Sequence, residues 1–311
     1  MIKRLIKGST IGVVCPSFEG SNCIESRKRS EEYLKELGFN IKYGKFVDEK
    51  WGYLAGTDEM RASDIMWAFQ DKEVDGIICL KGGYGAARTL DLLDFNLIKK
   101  NPKLFMGFSD ITALLNPFYE KAKLPCIHGQ MFVWLGSEKC DEKSKKDFED
   151  LLFKDQKGRI LKNPNNDHII INGGISEGIL VGGNVCLLNN LQGTKYDTDF
   201  TNKIVFLEEV DEEPYRVDRE LAQLNLAHKF AKARGIVFGY FTGGKPPERR
   251  EKCQTIMDVI KDSVKKLNIP IIANYASGHD FPFLNLPIGL KVRLNANEGS
   301  IEILEELYRK E

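Results

Sequence analysis

Three short apolar runs in the first half of the chain, Thr10–Cys15, Gly76–Leu80 and Leu104–Phe108, each stop at a proline, glycine or serine turn. Stretches with helical periodicity lie between them. This alternation is the pattern of β-α units stacked around a parallel sheet, whose strands are covered on both faces and so lack a polar side. The helices can be read in turn. Ser30, Tyr33, Leu34 and Leu37 fall on one face, and Gly38 sits where a left-handed C-cap would stop that helix. Thr57 can cap the next one, with Asp58 and Glu59 in its positively polarised first turn and Ala62, Ile65, Met66 and Phe69 on the inward face. Asn40 to Phe46 alternates like a strand, and Ile111 onward reads as a helix through about Lys121.

With 311 residues, 42% of them hydrophobic, the chain is long enough for two domains. The polar, charged stretch from about Glu138 to Asn166 is the best place for a linker. The expected division is an α/β domain over 1–155, a linker over 156–172 and a second domain over 173–311. Runs such as Ile179–Val181, Lys203–Leu207, Gly235–Phe238, Ile269–Ile272 and Lys291–Leu294 make the second domain richer in strands. Helices are expected there from Tyr215 to about Ala231 and from Glu251 to Leu267.

Charge and composition narrow the function. Lysine plus arginine and aspartate plus glutamate both total 45, so no global basic field draws nucleic acid or an anionic membrane. A small-molecule or peptide substrate fits better. The basic start Met1–Lys7 is followed by a short apolar run ended at Pro16, with no A-x-A cleavage pattern, and no stretch approaches the roughly 20 apolar residues that span a bilayer. The expected address is the cytoplasm. Seven scattered cysteines without a C-x-x-C pair argue against a disulfide framework and a thiolate zinc site. His128, His168, His228 and His279 show no metal-ligand spacing, so neither a metal nor another cofactor is expected.

Four segments could carry chemistry. Ser109 lies where an apolar strand ends and a helix begins, which would expose its hydroxyl beside the helix's first free N–H groups. The segment departs from G-x-S-x-G, with Asp110 in the next position and Thr112 in place of the second glycine, and either Ser109 or Asp110 could simply cap the helix. Lys81–Arg88 (KGGYGAAR) is glycine-rich and follows a strand, so its backbone can approach a ligand or expose N–H groups to a developing negative charge. It has only the first two glycines of a dinucleotide fingerprint and could also be a plain tight turn. Glu208 and Glu209 close an apolar run, and alternation puts them on opposite faces. His279 sits in a glycine-containing loop, where a base can be exposed and still aimed. His128 competes with it, whereas His168 and His228 read as ordinary strand and helix positions.

Taken together, Gly12–Ser17, Tyr53–Asp58, Lys81–Arg88, Gly107–Leu114, His128-Gly129, Gly182–Asn184, Leu207–Arg219, Thr242–Gly244 and Gly278-His279 resemble the LD-carboxypeptidase family, serine peptidases shared with microcin-immunity peptidases. That resemblance implies Ser109 as nucleophile, Glu208 as acid and His279 as base. It implies an oxyanion hole from the backbone N–H groups of Asp110 and Gly83. It also implies an α/β fold, with an N-terminal parallel-sheet nucleophile domain like class I glutamine amidotransferases and a smaller swivelling C-terminal β/α domain carrying acid and base. Lys81 and Gln130 stand where many relatives have arginine and proline.

The activity implied is release of terminal D-alanine from murein tetrapeptides in peptidoglycan recycling. Arg88, Arg216 and Arg219 are the cations that could hold the product carboxylate. The alternative within the fold is a microcin-C-type immunity peptidase cleaving aminoacyl-adenylate amides. A non-catalytic sugar or peptide binding module and a cysteine amidotransferase using Cys79 or Cys126 are further readings. Relatives are often dimers, which makes a homodimer the expected assembly.

Overall fold

The computed structural model describes residues 1–244 and 254–309. It divides into two units, which the chain does not fill in simple succession. The first comprises Met1–Gln156, Phe283–Gly289 and the segment from Glu306 on, and the second comprises Lys157–Pro282 and Leu290–Glu305.

In the first unit β1 (Thr10–Val14), β2 (Asn40–Tyr43), β3 (Gly76–Cys79), β4 (Leu104–Gly107) and β5 (Cys126–His128) form a parallel sheet in the order β5-β4-β3-β1-β2. The central strands β3 and β4 are buried throughout, which is why they read as unbroken apolar runs. Leu286–Ile288, β12 in chain order, adds an antiparallel edge beside β5. The helices are α1 (Ile24–Glu36), α2 (Asp58–Gln70), α3 (Phe95–Lys100), α4 (Thr112–Ala122), α5 (Phe132–Leu135) and α6 (Glu142–Phe153). Thr57 caps α2 as its sequence predicts, its Oγ1 accepting from the Met60 N–H at 3.3 Å. Phe69, Phe105 and Phe118 pack one face of the sheet, the last two with ring centroids 4.8 Å apart.

Three expectations need correction here. The second strand stops at Tyr43, because a Cβ on Gly44 would lie 2.5 Å from the Asp64 carboxylate, which instead accepts from the Phe46 N–H. The stretch from Glu138 is not linker: Asp141 caps α6, which buries Phe148, Leu151 and Leu152 at helical spacing beneath a charged outer face. Residues 160–162 and 169–172, within the expected linker, are strands.

The second unit is built on β6 (Ile160–Lys162), β7 (Ile169–Asn172), β8 (Ile175–Asn184), β9 (Lys203–Val210), β10 (Gly235–Thr242), β11 (Ile271–Ala273), β13 (Lys291–Asn295) and β14 (Ser300–Ile303). Their order is β6-β14-β13-β8-β9-β10-β11-β7, with β8 to β11 parallel and the flanking strands antiparallel. α7 (Val185–Asn190), α8 (Pro214–Leu226) and α9 (Ile256–Val264) enclose a core that includes Val205, Leu207, Val217, Leu221, Phe238 and Ile260. α8 stops before Ala231, because His228 adopts a left-handed φ of 54°, so His228 belongs to a turn rather than a helix. His168 likewise precedes β7 instead of lying in it. α9 begins at a Thr255–Asp258 capping box. The earlier start expected for that helix, residues 251–253, lies outside the described residues. The whole is a two-domain mixed α/β structure with parallel strands at the heart of each sheet.

Candidate active site

Ser109 follows β4 directly. Phe108 is still extended, and Ser109 turns abruptly to a φ of 60° before a short 3-10 turn leads into α4. A left-handed non-glycine residue of this kind costs about 1–3 kcal/mol and persists only where its surroundings enforce it. The glycine-rich loop supplies part of that enforcement. A Cβ on Gly82 would sit 3.1 Å from Ser109 Cβ, 3.2 Å from its Oγ and 3.5 Å from the Asp110 N. Gly83 (φ 118°) lies against the Phe18 ring, where a Cβ would come within 2.3 Å. The loop therefore carries its backbone up to the serine because two consecutive side chains are missing.

The Asp110 side chain fastens this arrangement. Its Oδ2 accepts from the Ser17 hydroxyl at 2.6 Å and from the Ala86 N–H at 2.8 Å. Burial pushes its carboxyl pKa up, against the pull of the hydrogen bonds from Ser17, Ala86 and Gly85 and of the nearby Arg61 charge. Arg61 is fully buried, pairs with Asp58 through Nη2, and donates through Nη1 to the carbonyls of Pro16 and of Gly85, the latter at 2.7 Å. Three loops at the carboxyl edge of the sheet are thus tied by two buried charges. Neither Ser17 nor Arg61 stood out as a site residue in the sequence, where an arginine one turn into an amphipathic helix reads as a solvated charge.

In the second unit Glu208 and His279 meet. His279 Nδ1 and Glu208 Oε2 are 2.6 Å apart, the carboxylate wholly buried and the imidazole 12% exposed. Burial disfavours the imidazolium, but the charge and hydrogen bond of Glu208, reinforced by Glu209 and Asp211, outweigh it and hold the His279 pKa above its ordinary value. Gly278 makes the approach feasible. It has a φ of 127°, and a Cβ there would press on Glu208 Cβ and Oε2 at 3.2 Å. Glu209 points elsewhere, as strand alternation requires. Its carboxylate accepts from Asn184 Nδ2 at 2.7 Å and from the Cys186 N–H at 2.9 Å, at the start of α7.

The remaining candidates are placed less suggestively. Arg88 donates through Nε to Asp58 at 3.0 Å and lies over the Trp51 ring. Arg216 pairs with Glu212 at 3.4 Å and Tyr215, and Arg219 is exposed on α8. His128 is buried, its ring stacked on Phe283 at 5.9 Å and edge-on to Phe108. Cys79 and Cys126 are fully enclosed, and burial pushes both thiols well above their ordinary pKa, so neither is poised as a thiolate. Among the described residues no group of three His, Cys, Asp or Glu could hold a metal ion, and no helix is long and apolar enough to cross a membrane.

The chain is similar to known proteins. Residues 11–129 match the family profile of the LD-carboxypeptidase N-terminal domain and residues 177–294 that of the LD-carboxypeptidase C-terminal domain. The chain is 34% identical over 302 residues to the "Probable murein peptide carboxypeptidase" of Bacillus subtilis (strain 168), covering 97% of this chain and 93% of that protein. It resembles the structure of muramoyltetrapeptide carboxypeptidase from Oxalobacter formigenes at 25% identity and a TM-score of 0.84, over 97% of this chain and 100% of the other. The microcin C7 self immunity protein MccF shares the fold, with a TM-score of 0.91 and 24% identity over 99% of both chains. With both domain profiles matched in order and a relative aligned over nearly its whole length, the chain belongs to the LD-carboxypeptidase family of serine-type carboxypeptidases.

Proposed function

We propose that this enzyme releases the terminal D-alanine of murein tetrapeptides through a Ser109–His279–Glu208 triad and an acyl-enzyme. Ser109 Oγ attacks the carbonyl carbon that joins the L-centre of lysine or diaminopimelate to D-alanine, and His279 takes the hydroxyl proton. The C–N bond then breaks, and His279 returns that proton to the departing amine. Water, activated in turn by His279, frees Ser109. Glu208 holds the imidazole in the tautomer with Nε2 free to accept. The backbone N–H groups of Asp110 and Gly83 receive the oxyanion, each good donor lowering the barrier by about 3 kcal/mol. Arg88, Arg216 and Arg219 are the cations available for the D-alanine carboxylate.

The observation that carries this reading is the 2.6 Å contact between His279 and a wholly buried Glu208. A buried carboxylate fixing a partly exposed imidazole is the orienting half of such a triad. The left-handed Ser109 beside a glycine-rich loop supports the other half. The reading requires Ser109 Oγ and His279 Nε2 to come within hydrogen-bond reach during turnover.

The shared fold with MccF favours one second reading, a microcin-type peptidase acting on aminoacyl-adenylate amides. Purified enzyme should be given L-Ala-γ-D-Glu-L-Lys-D-Ala, its diaminopimelate counterpart and an aminoacyl sulfamoyl adenosine, beside Ser109→Ala. D-alanine release that falls about 10⁴-fold or more in the variant is the expected result. Turnover of the sulfamoyl compound with both peptides intact would favour the second reading.

A further inference from the structure

We propose that Arg61 is a positioning residue for the oxyanion loop: with the Asp110 carboxylate, its guanidinium fixes the Gly85–Ala86 peptide and, through it, the Gly83 N–H. This rests on the Ser109 mechanism above and deepens it. Arg61 is 1% exposed, one turn into α2. A guanidinium stays charged when buried, and filling such a place with an apolar side chain is often neutral or stabilising. Stability alone therefore gives no reason for an arginine here. Its contacts do. Nη1 donates to the carbonyls of Pro16, after β1, and of Gly85, after β3, the latter at 2.7 Å, while Nη2 pairs with Asp58. Gly85 has a φ of 124°, and a Cβ there would lie 2.7 Å from Nη1, so the guanidinium reaches this carbonyl because the side chain is missing.

The two ends of that peptide meet opposite charges. The Gly85 carbonyl accepts from Arg61, and the Ala86 N–H of the same peptide unit donates to Asp110 Oδ2 at 2.8 Å. Turned over, the peptide would aim its carbonyl at the carboxylate and its N–H at the guanidinium, and both contacts would repel. The same pair of charges holds the Pro16 carbonyl and the Ser17 hydroxyl, the latter 2.6 Å from Asp110 Oδ2. Such a frame matters because the loop cannot hold itself. Gly82, Gly83 and Gly85 leave it few side chains to pack, so its path is imposed at its ends. The near end hangs on Leu80, whose carbonyl accepts from the Val133 N–H at 3.1 Å, and on Lys81, whose Nζ donates to the Glu19 carbonyl at 3.2 Å. The far end has the Arg61–Asp110 frame. Between them Gly82 runs so close to Ser109 that a Cβ would lie 3.2 Å from its Oγ. Every member of the frame belongs to the first unit. A group misplaced by about 1 Å can cost about 10²-fold in rate, so a slackened frame is read directly in turnover.

The test compares the wild type with Arg61→Lys, which keeps the charge and loses the planar fork. Both are given L-Ala-γ-D-Glu-L-Lys-D-Ala, and binding is measured for the product L-Ala-γ-D-Glu-L-Lys and for its analogue with a boronic acid in place of the lysine carboxyl. Boron accepts Ser109 Oγ, whose proton passes to His279, and the tetrahedral anion that forms places an oxygen where the oxyanion would lie. The product does not. In Arg61→Lys kcat should fall about 10- to 100-fold, the boronate should weaken by a similar factor, and the product should bind within about twofold of wild type. A kcat within about twofold of wild type, or equal weakening of boronate and product, would overturn the role. If circular dichroism shows Arg61→Lys unfolded, Ser17→Ala decides, since it removes one hydroxyl from the same frame and leaves both charges in place. A split of the same kind there supports the frame, and its absence refutes it. A folded wild type that neither turns over the tetrapeptide nor binds the boronate would remove the Ser109 reading on murein peptides and this role with it, whereas an active wild type beside an indifferent Arg61→Lys removes the role alone.

Discussion

Asp110 does two jobs with one residue: its backbone N lies 3.5 Å from where a Gly82 Cβ would be, and its carboxylate grips Ser17 and the far end of the glycine-rich loop. Asp110→Ala removes the one oxygen that accepts from both the Ser17 hydroxyl and the Ala86 N–H. With the Asp110 N–H as the proposed oxyanion donor, the expected outcome is a kcat lowered by about 10² with KM little changed, since a misplaced donor costs on that order. Steady-state kinetics on the tetrapeptide check it. For His279 the sign follows from its partner. In the proposed mechanism the free imidazole is the base, so the acidic limb of kcat/KM should lie above the ordinary imidazole value of about 6.5. Glu208→Gln removes the charge that raises it, so the limb should move to lower pH while the plateau falls by about 10³ or more. A limb that stays in place would detach Glu208 from the base. The placement of Ser109, Glu208 and His279 was legible because each follows or lies late in an apolar strand or sits in a glycine loop, whereas their roles rest on the family resemblance. Arg61 was hidden, since its burial depends on contacts to Pro16 and Gly85 that no local pattern contains.

At the scale of elements, β9 and α8 are joined by acid. Glu220 on α8 is pushed up to about 8, first by burial and then by the charges of Glu209 and Glu212, with Arg219 pulling weakly the other way. Cys186 on α7 faces the same group. A carboxyl whose folded pKa is raised contributes stability that is fully present below its unfolded value and is lost as pH rises through the folded one. The window is therefore from about 4.5 to about 8. Thermal melts of the wild type should lose stability across it, and Glu220→Gln, which keeps the shape without the titration, should flatten that loss and melt higher at pH 9. Identical pH profiles would contradict a protonated Glu220. The sequence revealed elements where one period dominates, as in α2 and β4. It concealed α6, whose three buried apolar residues are diluted by charges, and β6 and β7, too short for a pattern to repeat.

On the scale of the molecule, the chain builds most of one unit, makes the second, and returns twice. β12 pairs with β5, and the Ile2 N–H donates to Leu307 at 3.0 Å, so both ends of the chain close the first unit. A linear division could not show this, because the returning strand is only three residues long. The same layout places Ser109, the proposed nucleophile, in one unit and Glu208 and His279, the proposed acid and base, in the other. The claim that these form one catalytic centre is tested most directly by intact-mass spectrometry of enzyme quenched within milliseconds of mixing with L-Ala-γ-D-Glu-L-Lys-D-Ala, followed by peptide mapping. The account predicts an adduct with the mass of the tripeptide acyl group on Ser109, accumulating further in a Glu208→Gln variant that deacylates slowly. Turnover with no adduct in either protein, or an adduct on a cysteine, would contradict it.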